Sequence, residues 1–134
     1  MKVNSTDNEV YPSPKYKILI VEDEVYSQVL ISKYINDICK EILIANNGLE
    51  AVEICSKHND IDLILMDILM PEMNGYEATR EIRKLNPNIA IISQTAYGLS
   101  GDRQKSLEAG CNDYLTKPIN HIELLELIQK HLNK

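Results

Sequence analysis

The sequence predicts a doubly wound α/β domain, a five-stranded parallel sheet with five helices. Three observations predict it. Five short apolar runs recur along the chain, helix-period segments separate them, and three of those segments open on the same Asn-x-x-Glu signal. Strand–helix alternation of this kind demands parallel pairing, with helices packed on both faces of the sheet.

The first run, Ile18-Leu19-Ile20-Val21, is apolar throughout and too short for a helix, which fits a strand buried on both faces. Ile42-Leu43-Ile44-Ala45 is the second, Ile61 to Met66 the third, Ile89 to Ile92 the fourth and Asp113 to Thr116 the fifth. Asn47 with Glu50, Asn74 with Glu77 and Asn120 with Glu123 have the spacing of a capping box. There the Asn side chain accepts from an orphan N–H and the Glu reaches back. Ser100 is the expected cap of a helix running to Glu108, and Gly110 sits where that helix ends. The last helix carries Leu124, Leu125, Ile128 and Leu132 at three- and four-residue intervals, a core-facing stripe. Residues 1–15 are polar, contain Pro12 and Pro14, and lack periodicity. They read as a disordered tail or linker ahead of a domain over 16–134.

The chain has 134 residues, enough for one domain and too few for two ordinary ones. Its net charge of −6 and the lack of any Lys/Arg cluster exclude a nucleic-acid surface as the main function. Cys39, Cys55 and Cys111 are scattered and show no metal-ligand spacing with His58, His121 or His131. They read as reduced thiols of a cytoplasmic protein, and the histidines as surface residues. No apolar run follows Met1, so no signal peptide is expected, and no stretch approaches a membrane span.

In open α/β sheets, ligands bind beyond the carboxyl ends of the strands. Glu22, Asp23 and Glu24 follow the first run, Asp67 the third, Gln94 and Thr95 the fourth, and Lys117 and Pro118 the fifth. Carboxylates gathered at one place repel, and one protonates unless a cation relieves it. Hard oxygen donors suit Mg²⁺, and the lack of thiol or imidazole disfavours zinc. Lys117 and Thr95 offer an ammonium and a hydroxyl of the kind that meets charge on phosphoryl oxygens. Asp67 can act as a nucleophile toward phosphorus. Each feature alone has a plainer reading. Acidic residues favour a helix N-terminus, a lone Asp caps a helix, a Thr closes a turn, and Lys-Pro starts a helix. Their joint occurrence, each after a different strand, favours the chemical reading.

ILIVEDE (18–24), LILMDILMPEMNGYEA (63–78), SQTA (93–96) and AGCNDYLTKPI (109–119) together resemble the receiver (response-regulator) family of two-component signalling, over about residues 16–132. The resemblance implies a flavodoxin-like strand order 2-1-3-4-5 and a phosphoacceptor at Asp67. It implies Mg²⁺, or Mn²⁺ in its place, on Glu22, Asp23, Asp67 and the backbone carbonyl of Leu69. Thr95 becomes the switch hydroxyl, Lys117 the phosphate-binding lysine, Tyr114 the switch aromatic, and Lys117-Pro118 a cis peptide. Met70-Pro71 and Gly75 fit the family's loop after the acceptor. The phosphodonor would be a histidine kinase or histidine phosphotransfer domain. The responding surface would be the fourth helix, fifth strand and fifth helix. The domain would be a monomer or a weak phosphorylation-dependent dimer, with no role on nucleic acid or membrane. It would take up and lose its own phosphoryl group without being a separate enzyme. SQTA and AGCNDYLTKPI most resemble receivers of hybrid sensor kinases.

For Tyr114 the plainer reading is a half-buried packing residue of a strand. Leu69 and Tyr97 lie two residues beyond Asp67 and Thr95, at positions that in this family flank the path of the hydrolytic water. An apolar Leu and a bulky Tyr cannot position that water, which implies slow self-dephosphorylation. The alternative is that both merely cover the loop. A haloacid-dehalogenase-type phosphatase needs a second Asp where Leu69 stands, and a flavodoxin-like FMN protein needs a hydroxyl- and Gly-rich first loop where this chain is acidic. A degenerate receiver serving only as an interaction module is opposed by the full set Asp23, Asp67, Thr95 and Lys117. No Gly-rich nucleotide loop marks a kinase.

Overall fold

The computed structural model describes residues 13–96 and 101–132. Most of the expected tail, and both Tyr97 and Ser100, lie outside the described residues. The elements are β1 (Tyr16–Val21), α1 (Val25–Ile35), a 3₁₀ turn (Asn36–Ile38), β2 (Cys39–Ala45), α2 (Gly48–Lys57), β3 (Leu63–Asp67), α3 (Gly75–Leu85), β4 (Ala90–Thr95), α4 (Asp102–Ala109), β5 (Asp113–Thr116) and α5 (His121–Leu132). All pairings are parallel, in the order β2-β1-β3-β4-β5. The order reverses at β1 and β3, so a crevice opens beyond their carboxyl ends.

Side-chain alternation splits the core in two. Leu19, Val21, Ile64, Met66 and Ile91 pack with Ala51 of α2 and Ala78 and Ile82 of α3. Ile18, Ile20, Leu63, Leu65, Ile92 and Leu115 face Ile31 and Ile35 of α1 and Leu124 and Ile128 of α5. A strand covered on both sides needs an unbroken apolar run, which is why β1 and β3 stand out in the sequence.

The departures from expectation have local causes. The third run starts pairing at Leu63, because Asp62 leaves the apolar pattern to bond the first strand. Its Oδ2 accepts from Lys17 N–H at 2.8 Å, and its own N–H donates to Lys17 O at 2.8 Å. The fourth strand continues through Ser93, Gln94 and Thr95, since ladder bonds belong to the backbone and not to the side chains. Only Asn74 and Glu77 close a full capping box, at 2.9 and 3.0 Å. Asn47 and Asn120 accept from the Glu50 and Glu123 N–H groups, but the Glu50 carboxylate turns to the Asn46 N–H at 2.8 Å. α4 is entered through Gly101 at φ 97°, so the cap position falls there and not on Ser100, and α4 ends at Ala109 against Gly110 at φ 112°.

Lys17 was not expected to be buried. Its side chain is 7% exposed, with Nζ 2.9 Å from Asp60 Oδ1, 3.4 Å from Glu41 Oε1 and 3.0 Å from His58 Nδ1. His58 and His131 are half-buried, not surface residues: Lys17 engages the first, and Asp113 Oδ2 lies 3.0 Å from Nε2 of the second. His121 is exposed and stacks on Tyr34. All three cysteines are free thiols. Among the described residues no helix is long and apolar enough to cross a membrane.

Candidate functional site

The sheet register builds the site. Val21 is opposite Met66, so the residues that follow β1 reach the crevice beside Asp67, the last residue of β3. Glu22, Asp23 and Asp67 each offer a carboxylate oxygen, all within 4.8 Å of one another. Glu22 and Asp67 are 1% and 3% exposed, whereas Asp23 is open to solvent. Gly75 lets the start of α3 lie directly against this loop: its N–H donates to Ile68 O at 3.0 Å, and a Cβ there would collide with the Asp67 carbonyl oxygen.

Lys117 follows β5 and enters from the other side. The Lys117-Pro118 peptide is cis. The Lys117 ammonium lies 3.1 Å from Glu22 Oε1 and 3.3 Å from Asp67 Oδ1. Its backbone N–H donates to Thr95 O at 2.7 Å. Asp67 Oδ1 also accepts from the Leu69 N–H at 3.3 Å, which keeps the Leu69 main chain at the acidic end while its side chain is 63% exposed. Burial, reinforced by the Glu22 charge, pushes the Asp67 carboxyl up to about 6, against the pull of Lys117 and the Leu69 N–H. For Lys117, burial works against the ammonium, but Asp67 and Glu22 outweigh it and the pKa is raised.

Thr95 is buried beside this cluster, its hydroxyl turned to donate to Leu115 O at 3.4 Å. Tyr114 is half-buried on β5, and since Leu115 faces the α1–α5 core, Tyr114 shares the opposite face with Thr95. Glu22, Asp23, Asp67, Lys117 and the Leu69 backbone thus come together, with Thr95 adjacent and Tyr114 one strand removed.

One residue carries a role that the sequence did not signal. Gln28 of α1 donates to Glu22 O at 2.6 Å and Asn46 Oδ1 at 2.8 Å, tying the acidic loop to the end of β2. A Gln on a helix gives no sequence signal for this. Gln94 stands beyond the fourth apolar run, yet both polar atoms of its amide are buried without a hydrogen-bond partner.

One ammonium meets two of the three carboxylates, and burial first, then the Glu22 charge, keeps the Asp67 pKa raised. Such an all-oxygen donor set fits a hard divalent ion that retains water ligands, and without sulfur or imidazole it does not fit zinc.

The fold and this strand-end cluster define a receiver-type phosphoacceptor architecture, and the comparisons agree. The chain matches the response regulator receiver domain family over residues 18–129. It is 42% identical over 131 residues to hybrid signal transduction histidine kinase B of Dictyostelium discoideum, covering 87% of this chain and 7% of that protein. It is 35% identical over 115 residues to the sensor histidine kinase RcsC of Escherichia coli, covering 86% of this chain and 12% of that protein. The chain therefore spans only a small part of these curated relatives. Among solved structures, it resembles the Saccharomyces cerevisiae Ssk1 receiver domain, crystallised with the histidine phosphotransfer protein Ypd1. The TM-score is 0.83, with 32% identity and 92% of each chain covered. It also resembles the receiver domain of the Pseudomonas aeruginosa sensor histidine kinase PA1611, which has magnesium in its active-site cleft. There the TM-score is 0.80, with 36% identity and 89% and 98% of the two chains covered. The chain belongs to the response regulator receiver domain family and is a receiver domain of two-component signalling.

Proposed function

We propose that this receiver takes a phosphoryl group from a partner's phosphohistidine onto Asp67. The observation that carries the reading is the Lys117 ammonium held between Asp67 and Glu22 at the mouth of a three-carboxylate cluster. An Asp67 carboxylate oxygen attacks phosphorus, the O–P bond forms, the P–N bond breaks, and the imidazole leaves with the electron pair. Lys117 donates to a phosphoryl oxygen as charge moves onto it. Glu22, Asp23, Asp67 and the Leu69 carbonyl would hold Mg²⁺, or Mn²⁺ in its place. When bound, that ion neutralises charge on the transferring group. The Thr95 hydroxyl then exchanges Leu115 O for a phosphoryl oxygen, Tyr114 follows into the vacated space, and the α4–β5–α5 surface changes.

The donor is a histidine kinase or histidine phosphotransfer domain. A yeast relative solved with such a protein supports this. So do Val25 and Tyr26, apolar and 68% and 71% exposed on the first turn of α1, beside the acidic loop. The domain acts in the cytoplasm as a monomer or weak phosphorylation-dependent dimer. Leu69 and Tyr97 leave the hydrolytic water without a polar side chain to position it, so the acyl phosphate is long-lived.

The test is incubation with acetyl phosphate and Mg²⁺ followed by intact-mass measurement. The wild type gains one phosphoryl mass and Asp67→Asn gains none. An unlabelled wild type would leave only a protein-interaction role.

A further inference from the structure

α4 is attached differently from α3 and α5. α5 buries Leu124 and Ile128, and α3 buries Ala78, Thr79 and Ile82. α4, sequence DRQKSLEA, buries only Ser106 and Ala109, and Leu107 is 39% exposed. An Ala methyl supplies little apolar burial, so the helix depends on what Ser106 holds. The Ser106 hydroxyl bonds the Ser93 hydroxyl at 2.7 Å, and both residues are fully buried. Ser106 also meets the Tyr76 hydroxyl, and Ser93 also meets the Cys111 thiol and Asp113 O, so each serine keeps a polar partner when the bond between them opens and neither is left stranded in the core.

Its position in the sheet matters. Ile91 faces the α2–α3 core and Ile92 the opposite one, so Ser93 and Thr95 share the face toward α3 and α4. Ser93 and Thr95 approach alternate carbonyls of β5, Asp113 O at 3.5 Å and Leu115 O at 3.4 Å. Across the ladder, the register partner of Ser93 is Tyr114. One serine therefore touches the strand carrying the switch hydroxyl, the strand carrying the switch aromatic, and α4. A cavity of about 300 Å³, bounded by Thr95, Ala96, Tyr76 and Lys105, lies between the acidic site and α4 and leaves room for these groups to shift.

We infer that the Ser93–Ser106 hydrogen bond is a latch: it holds α4 in the resting arrangement and opens when Thr95 is drawn to the occupied site. Ser106 is a positioning residue of the switch. This rests on the phosphoacceptor reading of Asp67. By linkage, whatever opens α4 must tighten binding at Asp67 by the same factor.

The experiment compares wild type, Ser106→Ala, Ser93→Ala/Ser106→Ala and, as a control of modest stability loss on α5, Ile128→Val. Amide exchange over 102–109 is followed with and without beryllofluoride and Mg²⁺, and beryllofluoride affinity is measured by calorimetry. In both serine variants, α4 amides exchange faster without ligand, the ligand adds little further change, and affinity rises about fivefold. Ile128→Val keeps wild-type affinity. Faster α4 exchange with unchanged affinity means packing alone and overturns the latch, as does unchanged exchange. If the wild type itself fails to bind beryllofluoride, the phosphoacceptor reading falls and the latch falls with it. If the wild type binds beryllofluoride but the serine variants bind it no more tightly, the latch alone falls.

Discussion

The Lys117 ammonium stands 3.3 Å from Asp67 Oδ1, and the same nitrogen is shared with Glu22 Oε1 at 3.1 Å. Lys117 is fixed from behind by its own N–H on Thr95 O, so the charge reaches the acidic pocket from the end of β5, tied there to the end of β4. The ammonium does not fully offset burial and the Glu22 charge, since Asp67 still holds its proton up to about 6. The metal-free site is thus electrostatically frustrated, and its frustration is measurable.

Asp67→Asn is expected to stabilise the metal-free protein. The native pKa of about 6 lies above the ordinary 3.8, so the native state binds the proton more tightly than the unfolded chain. Stability from this group is then fullest below 3.8, declines as pH rises from 3.8 to about 6, and is lost above that. The shift corresponds to at most about 3 kcal/mol, and a gain of about 1–3 kcal/mol at pH 7.5 is expected for the Asn variant. Urea unfolding with chelator at pH 7.5 and pH 4 measures it as a difference between the two proteins. The advantage of the variant should shrink at pH 4, and Mg²⁺ should restore the wild type at pH 7.5. An Asn variant no more stable at pH 7.5 would contradict the repulsion.

Lys117→Met acts in the opposite direction. It leaves Glu22 and Asp67, both nearly fully buried, facing each other without a counter-charge. A loss of about 3 kcal/mol in metal-free stability is expected, the scale for stranding buried charge. Labelling by acetyl phosphate should slow by about 10²-fold, since the charge on the transferring group loses a fixed donor. Unfolding curves and timed mass spectra read the two effects separately. A variant labelled at the wild-type rate would remove Lys117 from the transfer step.

The sequence announces strands better than it announces what joins helices to them. β1 and β3 are visible because both faces are covered, which forces an unbroken apolar run. The acidic pair, Asp67, Thr95 and Lys117 are visible because each lies within a few residues beyond a run. Other roles leave no trace of this kind. Nothing in the sequence pairs Ser93 with Ser106, and only tertiary packing makes their hydroxyls partners. α1 has no capping signal and its N-cap Glu24 makes no side-chain cap bond, so its start is marked only by where β1 ends. Lys17 interrupts an otherwise apolar strand, and its burial depends on acids distant in sequence.

Leu69→Asn should shorten the acyl-phosphate lifetime at almost no structural cost. The Leu69 side chain is 63% exposed and its N–H already sits on Asp67, so an amide there would overhang the phosphoryl group without disturbing the core. A polar group able to orient water should raise hydrolysis by roughly tenfold or more. Phosphorylated protein freed of donor and followed by intact mass gives both half-lives. Equal half-lives would mean that Leu69 merely covers the loop.

The buried Lys17 gives an asymmetric expectation at the far end of the sheet. Its side chain is 7% exposed, whereas those of Asp60 and Glu41 are 60% and 48% exposed. Removing the lysine leaves two acids that water can solvate, and a Met fills much of its volume. Lys17→Met should therefore be the milder of the two changes. Removing the acids instead strands an ammonium with only the His58 ring nitrogen at 3.0 Å. Glu41→Ala/Asp60→Ala should be the more costly change, although both substitutions sit on the surface. Urea midpoints of the three proteins decide it. If Lys17→Met proves the more damaging change, the ion cluster contributes net stability beyond what its burial costs, and the desolvation argument fails at this site.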